Sequence, residues 1–212
     1  MTVDQAGAWA RIGARLYDPL LAMGERAGMR KQRAALLAGA RGRVLEIGAG
    51  TGLNLSHYPG TVEELVLTEP AGPMARRLER RVRALDRSVQ VVAAAAEDLP
   101  FADDSFDTAV STLVLCTVQD PERSVAELIR VLRPGGTLLA IEHGPSSSPR
   151  WAAVQRMLEP PWKAFACGCH VTRRITEELG AAGFRIKDLR DEKWRGMIPI
   201  VKPLSILRAT AP

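Results

Sequence analysis

The chain has 212 residues, 46% hydrophobic and 25% charged, the proportions of one folded globular domain; a disordered, collagen-like or fibrous coiled-coil chain is excluded. Its 29 basic and 24 acidic residues leave a net charge of +5, carried by 24 Arg and 5 Lys, which permits anionic partners without nominating one. No apolar stretch approaches the roughly 20 residues that cross a bilayer. The N-terminus shows no leader pattern and three cysteines make no disulfide framework, so the expectation is a reduced, cytoplasmic protein without a transmembrane segment, peripheral membrane contact remaining open.

In chain order, residues 1–38 read as an N-terminal helical lid. Short apolar runs then alternate with helical patterns: 43–47, 64–68, 89–93, 106–115 and 136–142 read as strands. Between the second and third, Arg76, Arg77, Arg80, Arg81, Arg83 and Arg87 interleave with Met74, Leu78, Val82 and Leu85; the apolar set marks a buried stripe and the arginines its solvated back rather than a nucleic-acid surface. Asp120 as N-cap, Pro121 at the first helical position and Val125, Leu128, Ile129 and Leu132 as apolar face define a helix that Pro134-Gly135-Gly136 stops. A Pro/Ser connection at 144–149 leads to a helical insertion over 150–183, then a strand at 184–189 and a last one at 198–207, weakened by Pro199 and Pro203. Strands separated by helices imply a doubly wound, mainly parallel α/β sheet in one domain spanning 1–212.

The first strand ends in Glu46-Ile47-Gly48-Ala49-Gly50-Thr51-Gly52, where the glycines permit a tight turn and close approach of a ligand. The G-x-G-x-G spacing departs from the dinucleotide pattern, and no Lys-Ser/Thr follows as a P-loop requires. Glu69 stands 21 residues after Gly48, at the end of the second strand, where a carboxylate accepts hydrogen bonds from both hydroxyls of a ribose.

These residues resemble the class I S-adenosylmethionine-dependent methyltransferases of the small-molecule type that includes quinone-biosynthesis enzymes. The resemblance covers about residues 15–145 and rests on Tyr17-Asp18, Val44 through Gly52, Glu69-Pro70, Ala96-Glu97-Asp98-Leu99-Pro100-Phe101, Ser105-Phe106-Asp107 and Arg130 through Gly136. It implies a Rossmann-like methyltransferase fold with S-adenosylmethionine as cofactor and S-adenosylhomocysteine as product. Glu46, Gly48, Ala49, Gly50 and Gly52 would hold the methionine end, Glu69 and Pro70 the ribose, and Ala96 and Glu97 the adenine, with Leu113 to Cys116 closing the floor and Tyr17 covering the cofactor. Ala95 replaces the Asp that many relatives use for the adenine amine, which leaves Glu97 as the candidate for that contact. Leu115-Cys116-Thr117-Val118 stands where many carry a histidine pair.

A narrower resemblance, through Thr112 to Val118, Glu142-His143, Leu158-Glu159-Pro160-Pro161-Trp162 and Gly168-Cys169-His170-Val171-Thr172-Arg173, is to the membrane-associated alkyl thiol S-methyltransferases of animals, whose N-terminal hydrophobic anchor has no counterpart here. It implies a small, apolar thiol as acceptor, with Cys116, His143, Trp162 and Cys169 on the substrate side. A thiol, with a pKa of about 8.5, ionises in part at neutral pH and needs little help from a base, unlike an alcohol. Thiolate meeting sulfonium cancels charge, which an apolar pocket tolerates, and Trp151, Trp162 and Phe165 would furnish one. His143 reads as a base or as a group that orients the substrate. Cys167-Gly168-Cys169-His170 has too few soft partners elsewhere for zinc, so no metal is expected. The alternatives are an O- or N-methyltransferase for a natural product, quinone or phospholipid headgroup, and a cofactor-binding module without turnover.

Overall fold

The structure, a computed structural model, describes residues 8–70 and 72–212, so the first seven residues of the expected lid lie outside the described residues. Helix α1 (Ala8–Gly24) runs through a wider π-helical turn, Glu25–Met29, into α2 (Arg30–Leu37). The junction bends at Gly28, whose φ of 146° is open to glycine and costly to other residues.

Seven strands follow: β1 (Gly42–Ile47), β2 (Val62–Thr68), β3 (Val89–Val92), β4 (Phe106–Thr112), β5 (Leu132–His143), β6 (Arg185–Lys193) and β7 (Pro203–Thr210). They form one sheet in the order β3-β2-β1-β4-β5-β7-β6. The first five pair in parallel, as the alternation of strands and helices predicts, and β7 inserts antiparallel between β5 and β6. Helices α3 (Pro73–Arg83), α4 (Pro121–Val131), α5 (Pro149–Phe165) and α6 (Ile175–Ala181) complete the chain.

Side chains that alternate along each strand feed two cores, because helices cover both faces of a parallel sheet. Leu45, Leu138 and Ala140 join Phe106 and Leu128 on one side. Val44, Leu139 and Ile141 join Leu65, Leu78 and Met29 on the other. A third, smaller cluster of Cys116, Cys169, Val171, Ile200 and Val201, with Trp162 and Leu158 against it, forms beyond the end of β4.

Three local expectations need correction. The strand predicted to run to Leu115 stops at Thr112, since Leu113 turns to φ 61° and the next three N–H groups point to Glu142. The last strand lies at Pro203–Thr210, because Pro199 opens a 3-10 turn that Lys202 N–H closes on its carbonyl. Helix α4 ends before Pro134: Leu132 is already extended, and the excess residues 133–136 are absorbed where the β4–β5 register shifts. The 150–183 insertion is two helices, α5 and α6, separated by a loop that carries Cys167 to Arg174.

Candidate functional site

Ligands of open parallel sheets bind at the C-terminal ends of the strands, where order reverses. Here β1 lies between β2 and β4, and the glycine turn leaves it at that reversal. Gly48 has φ 54°, and a Cβ there would sit 2.7 Å from both methyl groups of Val114, so only glycine lets the turn lie against the β4 loop. Gly50 has φ 60° yet a Cβ would meet nothing nearer than 4.0 Å, leaving open space over the turn. Its N–H donates to Glu69 Oε2 at 2.8 Å. Burial raises the Glu69 carboxyl above its ordinary value and the Gly50 N–H opposes that rise. Among the described residues the other Glu69 oxygen accepts no hydrogen bond, so a carboxylate with free acceptor capacity faces the turn. Ala49 is buried beside it and Pro70 is exposed just past the strand end.

Glu46 lies under the turn and is 3% exposed. Tyr58 O–H donates to it at 2.6 Å and Asn54 Nδ2 at 2.9 Å. Asn54 in turn accepts from Arg33 Nη1 at 2.9 Å, and Arg33 pairs with Glu25 at 3.0 Å. Burial pushes the Glu46 carboxyl up to about 7, with the Tyr58 and Asn54 hydrogen bonds and the Arg33 charge pulling the other way. The carboxylate thus braces the glycine turn from beneath and ties it to α2. Sequence reading missed Arg33, Asn54 and Tyr58, for which no local signal exists.

Two residues of α1 close the other side. Asp18 accepts from Thr51 Oγ1 at 2.5 Å, from Arg81 Nη2 at 2.6 Å and from Arg77 Nη2 at 3.2 Å. Arg81 also donates to the Thr51 carbonyl at 2.7 Å. Arg77 and Arg81 therefore belong to a latch between α1, α3 and the turn, and the reading of that whole run as a solvated back is corrected by this pairing. Next to Asp18, Tyr17 is half-buried, and burial pushes its hydroxyl up to about 12.

The floor is set by Glu142, fully buried at the end of β5. It accepts from Ser111 Oγ at 2.5 Å and from the N–H groups of Val114, Leu115 and Cys116 at 3.1 to 3.2 Å. These bonds hold Leu113 to Cys116 beneath the turn. His143 follows, 5% exposed and stacked on Trp194 at 5.7 Å between ring centroids. Burial lowers it to about 4, the nearby carbonyls of Pro203 and Val201 opposing, so the imidazole is neutral at pH 7 and a weak base, its buried Nδ1 without a hydrogen-bond partner among the described residues. Arg173 anchors the 166–174 loop to the floor through the carbonyls of Leu115, at 2.6 Å, and Val118.

Of the residues expected to meet the substrate, Cys116 and Cys169 are buried with their sulfurs 3.9 Å apart, and Trp162 packs against the same cluster. Trp151 and Phe165, expected in the pocket, are 48% and 73% exposed because they sit at the two ends of α5, past the cluster. Glu159 accepts from Thr172 N–H at 2.8 Å and lies 3.2 Å from His170 Nδ1, a pairing that no local feature of the sequence signals. Among the described residues no three His, Cys, Asp or Glu side chains gather as metal ligands.

In the segment after β3, Ala96 is buried and Leu99 N–H is fixed by Glu127 at 2.8 Å. One oxygen of Glu97 accepts from Gln119 N–H at 2.9 Å and from Asp120 N–H, so this side chain ties the segment to the start of α4.

Residues 45–140 match the family model described as Methyltransferase domain. The human thiol S-methyltransferase TMT1B is 40% identical over 155 residues, 70% of this chain and 63% of that protein. The chain covers 59 to 63% of the length of the thiol S-methyltransferases from human, rat and mouse that it matches. In fold it is similar to an S-adenosylmethionine-dependent methyltransferase of Thermotoga maritima, with a TM-score of 0.69 over 95% of this chain and 97% of that one at 23% identity. It is similar also to the N-methyltransferase NodS of Bradyrhizobium japonicum in complex with S-adenosylhomocysteine, with a TM-score of 0.66 over 89% and 88% of the two chains at 17% identity.

Proposed function

We propose that this chain, which carries a methyltransferase domain, moves a methyl group from S-adenosylmethionine to a small apolar thiol. The single observation that carries the thiol reading is the cluster over the floor: Cys116, Cys169, Val171, Ile200 and Trp162 line it, and the imidazole nearest it along β5, His143, is a weak base held neutral. Such a site favours an acceptor that loses its proton on its own.

The residues present fit the cofactor. The open space over Gly50 and the free acceptor capacity of Glu69 suit a ribose, and the Gly48–Val114 contact leaves backbone as the wall of the turn. Gly48, Ala49, Gly50 and Gly52 would hold the methionine end, Glu69 and Pro70 the ribose, Ala96 and Glu97 the adenine, and Leu113 the floor. When bound, S-adenosylmethionine supplies an electrophilic methyl group on a sulfonium. The protein's part is placement. Glu142 fixes the floor through three N–H bonds, Asp18 latches α1 over the turn, Tyr17 covers it from water, and the apolar cluster desolvates the acceptor. Glu46 supports the turn from below rather than meeting the ligand with a free carboxylate. The three free cysteines support a reducing, cytoplasmic setting, and among the described residues no helix is long and apolar enough to cross a membrane.

The His170–Glu159 pair favours a second reading, since an imidazole oriented by a carboxylate is what an alcohol or amine acceptor needs. The test is transfer of labelled methyl from S-adenosylmethionine to a panel of small thiols, phenols, amines and lipid headgroups, with product mass as readout. S-methylation supports the thiol reading. Transfer only to oxygen or nitrogen, abolished by His170→Asn, would replace it with the second.

A further inference from the structure

We propose that Cys116 and Cys169 form a reversible redox pair, a thiol–disulfide exchange site for small organic disulfides whose oxidised form closes the acceptor side. The two thiols come from elements 53 positions apart, the turn after β4 and the loop after α5, and their sulfurs stand 3.9 Å apart. Both are free and buried. The backbone on each side is fixed: Cys116 N–H donates to Glu142 at 3.1 Å, His170 N–H donates to the Cys116 carbonyl at 2.8 Å, and Cys169 N–H donates to Ala166 at 3.0 Å. The pair is therefore held face to face, and a disulfide needs the sulfurs to close to about 2.0 Å.

The two sulfurs are not equivalent. Cys116 is 0% and Cys169 5% exposed, and Trp162, whose buried Nε1 has no hydrogen-bond partner among the described residues, packs against the same cluster. The close Cys116 sulfur holds the Cys169 thiol below the ordinary cysteine range, while the close Cys169 sulfur and burial push Cys116 up. Cys169, on a loop that reaches solvent, is the attacking thiolate, and the fully enclosed Cys116 the resolving thiol. Two residues before Cys169, Cys167 is exposed at φ 52°, followed by Gly168 at φ 90°, so the loop that carries the nucleophile also meets solvent.

In the reaction the Cys169 thiolate attacks one sulfur of a small disulfide, forming a mixed disulfide and releasing one thiolate. That thiolate takes the Cys116 proton. Cys116 then attacks the Cys169 sulfur, forms the Cys116–Cys169 bond and expels the second thiol after protonation from solvent. Two protein thiols are oxidised and one small disulfide is reduced to two small thiols. The proposal rests on the thiol reading in one respect: the disulfide is the oxidised form of the proposed acceptor class.

The test treats the reduced full chain with bis(2-hydroxyethyl) disulfide, blocks remaining thiols by alkylation and maps peptides without reduction. The expected result is a cross-linked peptide pair containing Cys116 and Cys169, in the unaltered protein and in Cys167→Ser, reversed by dithiothreitol. Methyl transfer to a thiol should fall at least about tenfold on oxidation and return on reduction, with S-adenosylhomocysteine binding unchanged. Adducts confined to Cys167, a Cys167–Cys169 link, or Cys116 and Cys169 both alkylated would overturn the pair. A Cys116–Cys169 link with unchanged transfer would overturn the closure. The mapping does not depend on turnover, so a protein that forms the link yet methylates no thiol would refute the proposed acceptor and leave the pair standing.

Discussion

Burial pushes the Glu46 carboxyl up to about 7, so the folded protein keeps a proton there that the unfolded chain gives up near pH 4.5. Stability contributed by this group therefore falls as pH rises from about 4.5 through 7. Glu46→Gln keeps an acceptor for Asn54 and removes the charge; relative to the unaltered protein it should gain about 2 to 4 kcal/mol between pH 4.5 and 8 in urea unfolding. No difference across that range would mean the carboxylate is well solvated. His143 has the opposite sign. Its folded value of about 4 lies below the unfolded 6.5, so its contribution is complete above pH 6.5 and is lost as pH falls through 4. His143→Gln should flatten the acid limb of stability, and in the pH–rate profile of the unaltered protein this residue should give no limb near pH 6.5. Glu69→Ala should weaken cofactor binding by about 1 to 3 kcal/mol, read by calorimetry; an unchanged dissociation constant removes the ribose role. At this scale the glycines and Glu69 were legible because turn chemistry and spacing are local. Arg33, Asn54 and Tyr58 were not, since their partners are set by how α2 folds under the turn.

Among elements, α4 was the most readable, because its N-cap, its first proline and its apolar face each act within a few residues. Asp120 Oδ1 accepts from Arg123 N–H at 3.0 Å, and Asp120→Ala should cost about 1 kcal/mol of stability. Strand limits were less readable. Val114 and Leu115 have the composition of a strand, and only Glu142, on another strand, turns their N–H groups away from pairing. The arginines of α3 show the same limit: period assigns them to the surface, and a carboxylate on α1 recruits two of them. Asp18→Asn leaves one amide oxygen for three donors. It should speed hydrogen exchange in 14–24 and raise the cofactor off-rate while the sheet stays protected. Equal exchange in the two proteins would show that α1 is held by packing alone.

For the molecule as a whole, the parallel pairing of β1–β5 was legible because parallel neighbours demand crossovers, and the chain alternates strand and helix accordingly; their spatial order was not. The insertion of β7 between β5 and β6 was not, since pairing order among late strands is a long-range choice. The same folding brings the loop of Cys169 over the turn of Cys116 and leaves the weakly basic His143 behind them, which is the ground for reading the acceptor as a thiol. The most direct measurement is methyl transfer from S-adenosylmethionine to a matched pair, one aliphatic thiol and the alcohol of the same carbon skeleton. The account predicts turnover of the thiol and none above background for the alcohol. Equal transfer to both, or transfer to the alcohol alone, would contradict it.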